Sequence, residues 1–179
     1  MKLIILFLFF TTLLFGQERI YTITKNNGVE LKAKKYLTGT NFLKVTTLND
    51  DIVEVPYYEL NEIQYDVKEK KKTTTVTKHF VRTSDKYGKI MELIESGKCN
   101  AYVGIGSLGS TVSVDYYVLR EGEQIATMIG SKNVVTFYNF KKTALEYFKD
   151  CPVIIERINK NFKRKKIKEL VELYNKSCL

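Results

Sequence analysis

The chain has 179 residues, with 29 Lys and Arg against 20 Asp and Glu, a formal net charge of +9, one histidine, three cysteines and no tryptophan. That length suits one large or two small domains. A single histidine removes two-histidine metal sites and leaves any histidine-based triad dependent on one residue.

Met1 and Lys2 are followed by Leu3 to Gly16, apolar but for Thr11 and Thr12. One positive charge and an apolar core of about 14 residues, too short for a hydrocarbon core that needs roughly 20, read as a signal peptide over residues 1–16. The cut is expected before Gln17, at the small residue Gly16, and the competing reading is an uncleaved anchor. No cysteine follows the cut to carry a lipid, and no later hydrophobic stretch is long enough to span a membrane. The expected localisation is therefore exported, periplasmic or secreted. Losing Lys2 lowers the formal charge from +9 to about +8. Nucleic acid is not an expected partner in that compartment. An envelope protein, or an anionic envelope component such as lipid headgroups, lipopolysaccharide phosphates or acidic polymers, is.

From Arg19 to about Asp66 the hydrophobic period is two. Val29, Leu31 and Ala33 alternate with Glu30, Lys32 and Lys34, and Leu43 and Val45 alternate with Lys44 and Thr46. Turn signals fall at Asn26-Asn27-Gly28, Thr38-Gly39-Thr40-Asn41 and Asn49-Asp50-Asp51. Pro56 ends a fourth strand, Tyr57 to Glu62 makes a tight turn, and Ile63 to Tyr65 returns as a short fifth. Gly28, Leu31, Ala33, Val53, Val55, Pro56, Leu60 and Ile63 resemble the pattern of small SH3-like β-barrels. The resemblance implies a closed five-stranded domain over 17–66 and carries no activity with it.

Residues 67–82, VKEKKKTTTVTKHFVR, join a basic run to threonines and read as a connecting segment or edge strand. Within 83–179, Ser84 is placed to cap a helix from Asp85 to Ser96, with Tyr87, Ile90, Leu93 and Ile94 on one face. Strand residues Asn100 to Val103, the loop GIGSLGS, Thr111 to Arg120 and Gln124 to Ile129 then form a β-meander. The last third is helical. Phe137, Phe140, Ala144, Leu145 and Phe148 recur at helical spacing with Asn139 as the cap, Pro152 opens a second helix carrying Ile154, Ile155 and Ile158, and Ile167, Leu170, Val171 and Tyr174 stripe a third. The fold class expected is α+β: an SH3-like antiparallel barrel, a β-meander and a three-helix segment.

Few motifs carry chemistry. Gly104, Gly106 and Gly109 spell G-x-G-x-x-G, but a strand follows where a dinucleotide site needs a helix, so the glycines read as a hairpin loop. His79 reads as an ordinary strand or linker residue without a nearby acidic partner. The carboxylate pairs Glu92/Glu95, Asp50/Asp51 and Glu121/Glu123 sit on solvated faces or turns. No catalytic, cofactor-binding or metal-binding residue is assigned, and no cofactor is implied. Lys160, Lys163, Arg164, Lys165, Lys166 and Lys168 straddle the bend between the last two helices and form one positive knob, a candidate contact for an anionic partner.

Three cysteines permit three single bridges by count. If the last two helices form an antiparallel hairpin of matched length, Cys151 at the start of one meets Cys178 at the end of the other. Phe140, Lys142, Tyr147, Phe148, Asp150, Cys151, Pro152, Ile155, Ile158, Tyr174, Asn175 and Cys178 also resemble a C-terminal pattern, F-x-K…Y-F-x-D-C-P…Y-N-x-x-C, of uncharacterised exported proteins of Gram-negative bacteria. Tyr116 to Val118 with Arg120, Glu121 and Gly122 is similar to the same group. That resemblance leaves Cys99 unpaired and implies no activity. The expected function is a non-catalytic periplasmic or cell-surface binding module. A small envelope enzyme, its site assembled from residues distant in sequence, is the alternative.

Overall fold

The structure is a computed structural model that describes residues 19–70, 72–108, 111–132, 139–160, 163 and 166–178. Ten strands run in chain order: β1 (Tyr21–Lys25), β2 (Glu30–Thr38), β3 (Phe42–Thr47), β4 (Ile52–Pro56), β5 (Leu60–Glu69), β6 (Lys72–Arg82), β7 (Gly88–Glu95), β8 (Cys99–Leu108), β9 (Thr111–Arg120) and β10 (Thr127–Lys132). Helices α1 (Phe140–Tyr147), α2 (Pro152–Asn159) and α3 (Ile167–Ser177) follow. All ten strands belong to one antiparallel sheet of order β10-β9-β8-β7-β6-β5-β1-β2-β3-β4. The expected leader lies outside the described residues.

This sheet overturns the expected SH3-like barrel. The strands and turns of the first segment are where the alternation puts them, but they do not close into a separate unit. Strand β5 is ten residues long rather than three, and it pairs with β1 on one side and with β6 on the other. The strand that would complete a small barrel instead passes the sheet on. Residues 67–82, expected to connect two units, are the end of β5 and all of β6. Lys72 to Thr75 project into solvent, while Val76 to Val81 are at least partly buried in mid-sheet.

The β1–β5 half curls over its own apolar face. Ile23, Leu43, Val45, Val55 and Ile63 are wholly buried there without a helix above them. The β4–β5 turn folds across the opening. The Asn26 amide N–H donates to the Glu59 carbonyl (2.7 Å), Tyr57 Oη donates to the Gly39 carbonyl (2.8 Å), and the Tyr57 ring stacks on Phe80 of β6 at 4.2 Å.

The β6–β10 half has apolar side chains on both faces. One face carries the three helices, with Phe148, Ile154, Ile158, Ile167, Leu170 and Val171 packed on Ala101, Val118 and Ile129. The opposite face gathers Val81, Met91, Tyr102, Tyr117 and Ala126. There the β9–β10 loop reaches across, and the Ala126 N–H donates to the Arg82 carbonyl at 2.8 Å.

Being buried on both faces explains a second correction: Asp85 to Ser96 is not a helix. Ile90 and Ile94 serve one face of β7, and Met91 and Leu93 the other. The apolar period of two therefore vanishes, and a helix-like spacing replaces it. The capping signal at Ser84 is real but local. Its Oγ accepts from the Lys86 and Tyr87 amides in a turn that enters β7. Gly104 and Gly106 also lie in a strand, not a loop. A Cβ at Gly106 would sit 2.2 Å from an Asp115 carboxylate oxygen and 2.5 Å from Ser113 Oγ, so the glycine makes room for two buried polar side chains. Gly109 lies outside the described residues.

The C-terminal helices fit the sequence pattern. Asn139 Oδ1 accepts from the Lys142 amide at 3.1 Å, Pro152 occupies the first turn of α2, and all four residues of the α3 stripe are buried. Phe137 lies outside the described residues.

Candidate functional site

A concavity that brings side chains from several strands together lies at the seam between the two halves of the sheet. It is a cleft of about 450 Å³ whose lining includes Tyr58, Asn61, His79, Arg82, Tyr102 and Gln124. Strand alternation puts His79 on the same face as Val81. The β5–β6 register puts Glu62 of β5 beside it, and the β6–β7 and β7–β8 registers put Tyr102 on the same face.

His79 Nε2 is 3.8 Å from Glu62 Oε2, and Nδ1 is 3.4 Å from Tyr102 Oη, which in turn accepts from Asn100 Nδ2 at 3.3 Å. Every link is long for a hydrogen bond, so the imidazole is oriented yet not saturated. Burial lowers the His79 pKa below the ordinary 6.5, outweighing the pull of Glu62 in the other direction. Burial raises that of Tyr102 despite the Asn100 hydrogen bond. At neutral pH the cleft therefore holds a neutral imidazole and a protonated phenol.

A pH dependence follows. With its folded pKa below 6.5, His79 takes up a proton more readily in the unfolded chain. Its contribution to stability is complete above 6.5 and is lost as the pH falls through the folded value. The His79 Hε1 resonance should titrate with a midpoint below 6.5. His79→Gln should flatten the fall in unfolding midpoint between neutral pH and about pH 5. A midpoint at or above 6.5 contradicts this.

The basic knob lies at the junction of α2 and α3. Lys160 follows α2 and pairs with Glu156 (2.5 Å), and Lys166 precedes α3 and pairs with Glu169 (2.8 Å). Lys163 and Lys168 are exposed and make no ion pair among the described residues. Arg164 and Lys165 lie outside the described residues. The cysteines are at the other end of the hairpin: Cys151 caps the start of α2 and Cys178 the end of α3, and a disulfide joins them with their Cα atoms 5.7 Å apart.

Around that disulfide end, the residues of the C-terminal pattern lock the helices to the sheet. Arg120 of β9 reaches into the space between α1 and α3. Its Nη2 donates to the Tyr147 carbonyl and to Asp150 Oδ1 (2.6 Å), and its guanidinium lies 4.6 Å from the Tyr147 ring centre and 5.0 Å from that of Tyr174. Tyr174 Oη donates to Asp150 Oδ2 (3.2 Å), and Tyr147 Oη donates to Glu123 (2.7 Å). Asn175 imitates a neighbouring strand. Its Oδ1 accepts from the Cys99 N–H at 2.8 Å, and its Nδ2 donates to the Cys99 carbonyl at 3.0 Å. Cys99 is the free thiol. Burial pushes its pKa up to about 12, against the opposing influence of Arg120, so it is no nucleophile at neutral pH.

The sequence reading therefore located the staple and missed the cleft. Alternation could have placed His79 on one face of a strand. Its partners Glu62 and Tyr102 lie on two other strands, and no local spacing joins them.

Among the described residues no group of three His, Cys, Asp or Glu side chains is arranged to hold a metal ion, and no helix is long and apolar enough to cross a membrane. No family model, curated protein or solved structure matches the chain.

Proposed function

We propose that the protein is an exported, non-catalytic binding module that contacts an anionic component of the cell envelope through the α2–α3 tip. The observation that carries the reading is the geometry of the hairpin. The disulfide and the Arg120 cluster hold one end against the sheet, while the cations gather at the opposite end, where Lys163 and Lys168 are free of ion pairs among the described residues. The disulfide supports export, because such bonds persist in oxidising compartments. Exposed Ile105 and Val112, at 77% and 60%, share one face of the β8–β9 hairpin and support binding rather than catalysis.

Replacing Lys163, Arg164, Lys165 and Lys166 by Gln should release the protein from the envelope fraction in low salt, with high salt doing the same to the wild type. Unchanged fractionation of the variant refutes the contact. Crosslinking in intact cells followed by mass spectrometry would name the neighbour.

A further inference from the structure

We propose that the cleft between the β4–β5 turn and the β9–β10 loop is a binding site for a short saccharide. The proposal takes the binding-module reading on to a ligand class, at a surface separate from the basic knob.

Polarity narrows the class. The walls are mixed: Tyr57, Phe80, Val81 and Leu119 supply apolar surface, and a few polar groups stand among them. Asn61 and Gln124 supply planar amides, Arg82 a planar guanidinium, and His79 a neutral ring with one donor and one acceptor. The charges of Arg82 and of Glu62 behind His79 offset each other, so a polyanion would gain little here. A sugar ring presents hydroxyls that each donate and accept, and planar side chains of this kind can satisfy both roles at once.

The aromatic component points the same way. Tyr58 is 80% exposed at the rim, and its ring makes no aromatic or cation contact among the described residues. A sugar also has a face of C–H groups, and an uncovered aromatic ring is the complementary surface for it. The main chain beneath Tyr58 is held, because Asn26 Nδ2 donates to the Tyr58 carbonyl at 2.7 Å. The ring is thus displayed from a fixed backbone rather than from a loose loop. The open hydrogen-bond geometry around His79, with neither nitrogen closely partnered, leaves capacity for a ligand hydroxyl.

The single histidine makes the test direct, since its Hε1 proton gives one resonance inside the cleft. The protein is titrated with three trisaccharides: a β-1,4-linked N-acetylglucosamine trimer, maltotriose and trigalacturonate. The expected result is a saturable shift of the His79 resonance with at least one of the two neutral trisaccharides and a weaker one with trigalacturonate, reduced about tenfold or more in Tyr58→Ala. The four-Gln knob variant should keep it. Tyr58 is exposed, so its removal does not threaten the fold. No saturable shift with either neutral trisaccharide overturns the proposal, and so does a shift that Tyr58→Ala leaves intact. A failed titration leaves envelope association by the knob standing. Lost association of the knob variant with a retained titration separates the two in the other direction.

Discussion

Replacing Cys151 and Cys178 together by serine lowers the free energy of unfolding by about 3 to 4 kcal/mol. The bridge closes a loop across a sequence separation of 27, and in the chain-entropy account a loop of that size restricts the unfolded chain by about that much. The native side adds to the loss. Helices α2 and α3 have 8 and 11 residues, below the roughly 12 to 15 at which an isolated helix is even marginal in water, so they depend on packing and on the staple. Both half-cystines are buried, and two serine hydroxyls would take their place in an apolar core. The double replacement is the informative variant, because a single one frees a thiol in the same core as Cys99. Urea unfolding followed by circular dichroism should show a lower midpoint for the variant, and the same lower midpoint for the wild type with reductant present. An unchanged midpoint would mean that the hairpin is held by packing alone.

What was legible in the sequence follows the number of faces each element buries. Helix α3 buries one stripe, and Ile167, Leu170, Val171 and Tyr174 announce it. Strands β2 and β3 bury one face each, and their alternation is plain. Strand β7 buries both, with Ile90 toward the β1–β5 core and Ile94 toward the helix core on one face and Met91 and Leu93 toward a third cluster on the other, and the signal that defines a half-buried strand disappears. Closure was illegible for a different reason. Nothing local in Leu60 to Glu69 says whether its second edge returns to its own unit or accepts β6; that depends on a strand that the lysines and threonines of 70–77 disguise as a connection. The cleft was hidden by separation, since Glu62, His79 and Tyr102 belong to three strands and are ordinary in each.

The same reasoning gives the C-terminal pattern a physical meaning. Tyr147, Phe148, Asp150, Tyr174 and Asn175 are not gathered around a vacant centre. They surround Arg120 and the backbone of Cys99, and their polar groups are turned toward one another. In this chain those residues hold the helices to the sheet. The search for a ligand belongs on surfaces that the pattern does not touch, which is where the cleft and the knob lie.

Arg120→Met is accordingly expected to destabilise the protein by about 3 kcal/mol, although it keeps an apolar stem of similar length. The ion pair is the smaller part. Asp150 is 48% exposed, so solvent screening holds the pair to about 1 kcal/mol or less. The guanidinium also lies against the rings of Tyr147 and Tyr174 and within 5.8 Å of Phe148, contacts worth about 0.5 to 1 kcal/mol each. Its hydrogen bond to the Tyr147 carbonyl, at the end of α1, disappears as well. The pH dependence separates these contributions. Burial raises the Asp150 pKa, but the Arg120 hydrogen bond and charge outweigh it and hold the carboxyl below its ordinary 3.8. The resulting stabilisation is fully present above 3.8 and is lost as the pH falls through the folded value. In Arg120→Met the acid limb of the stability curve should flatten while the deficit at neutral pH remains. In Asp150→Asn the limb should flatten with a much smaller deficit, because the rings keep their cation. Equal neutral-pH losses in the two variants would show that the ion pair, and not the aromatic cage, holds the helices to the sheet.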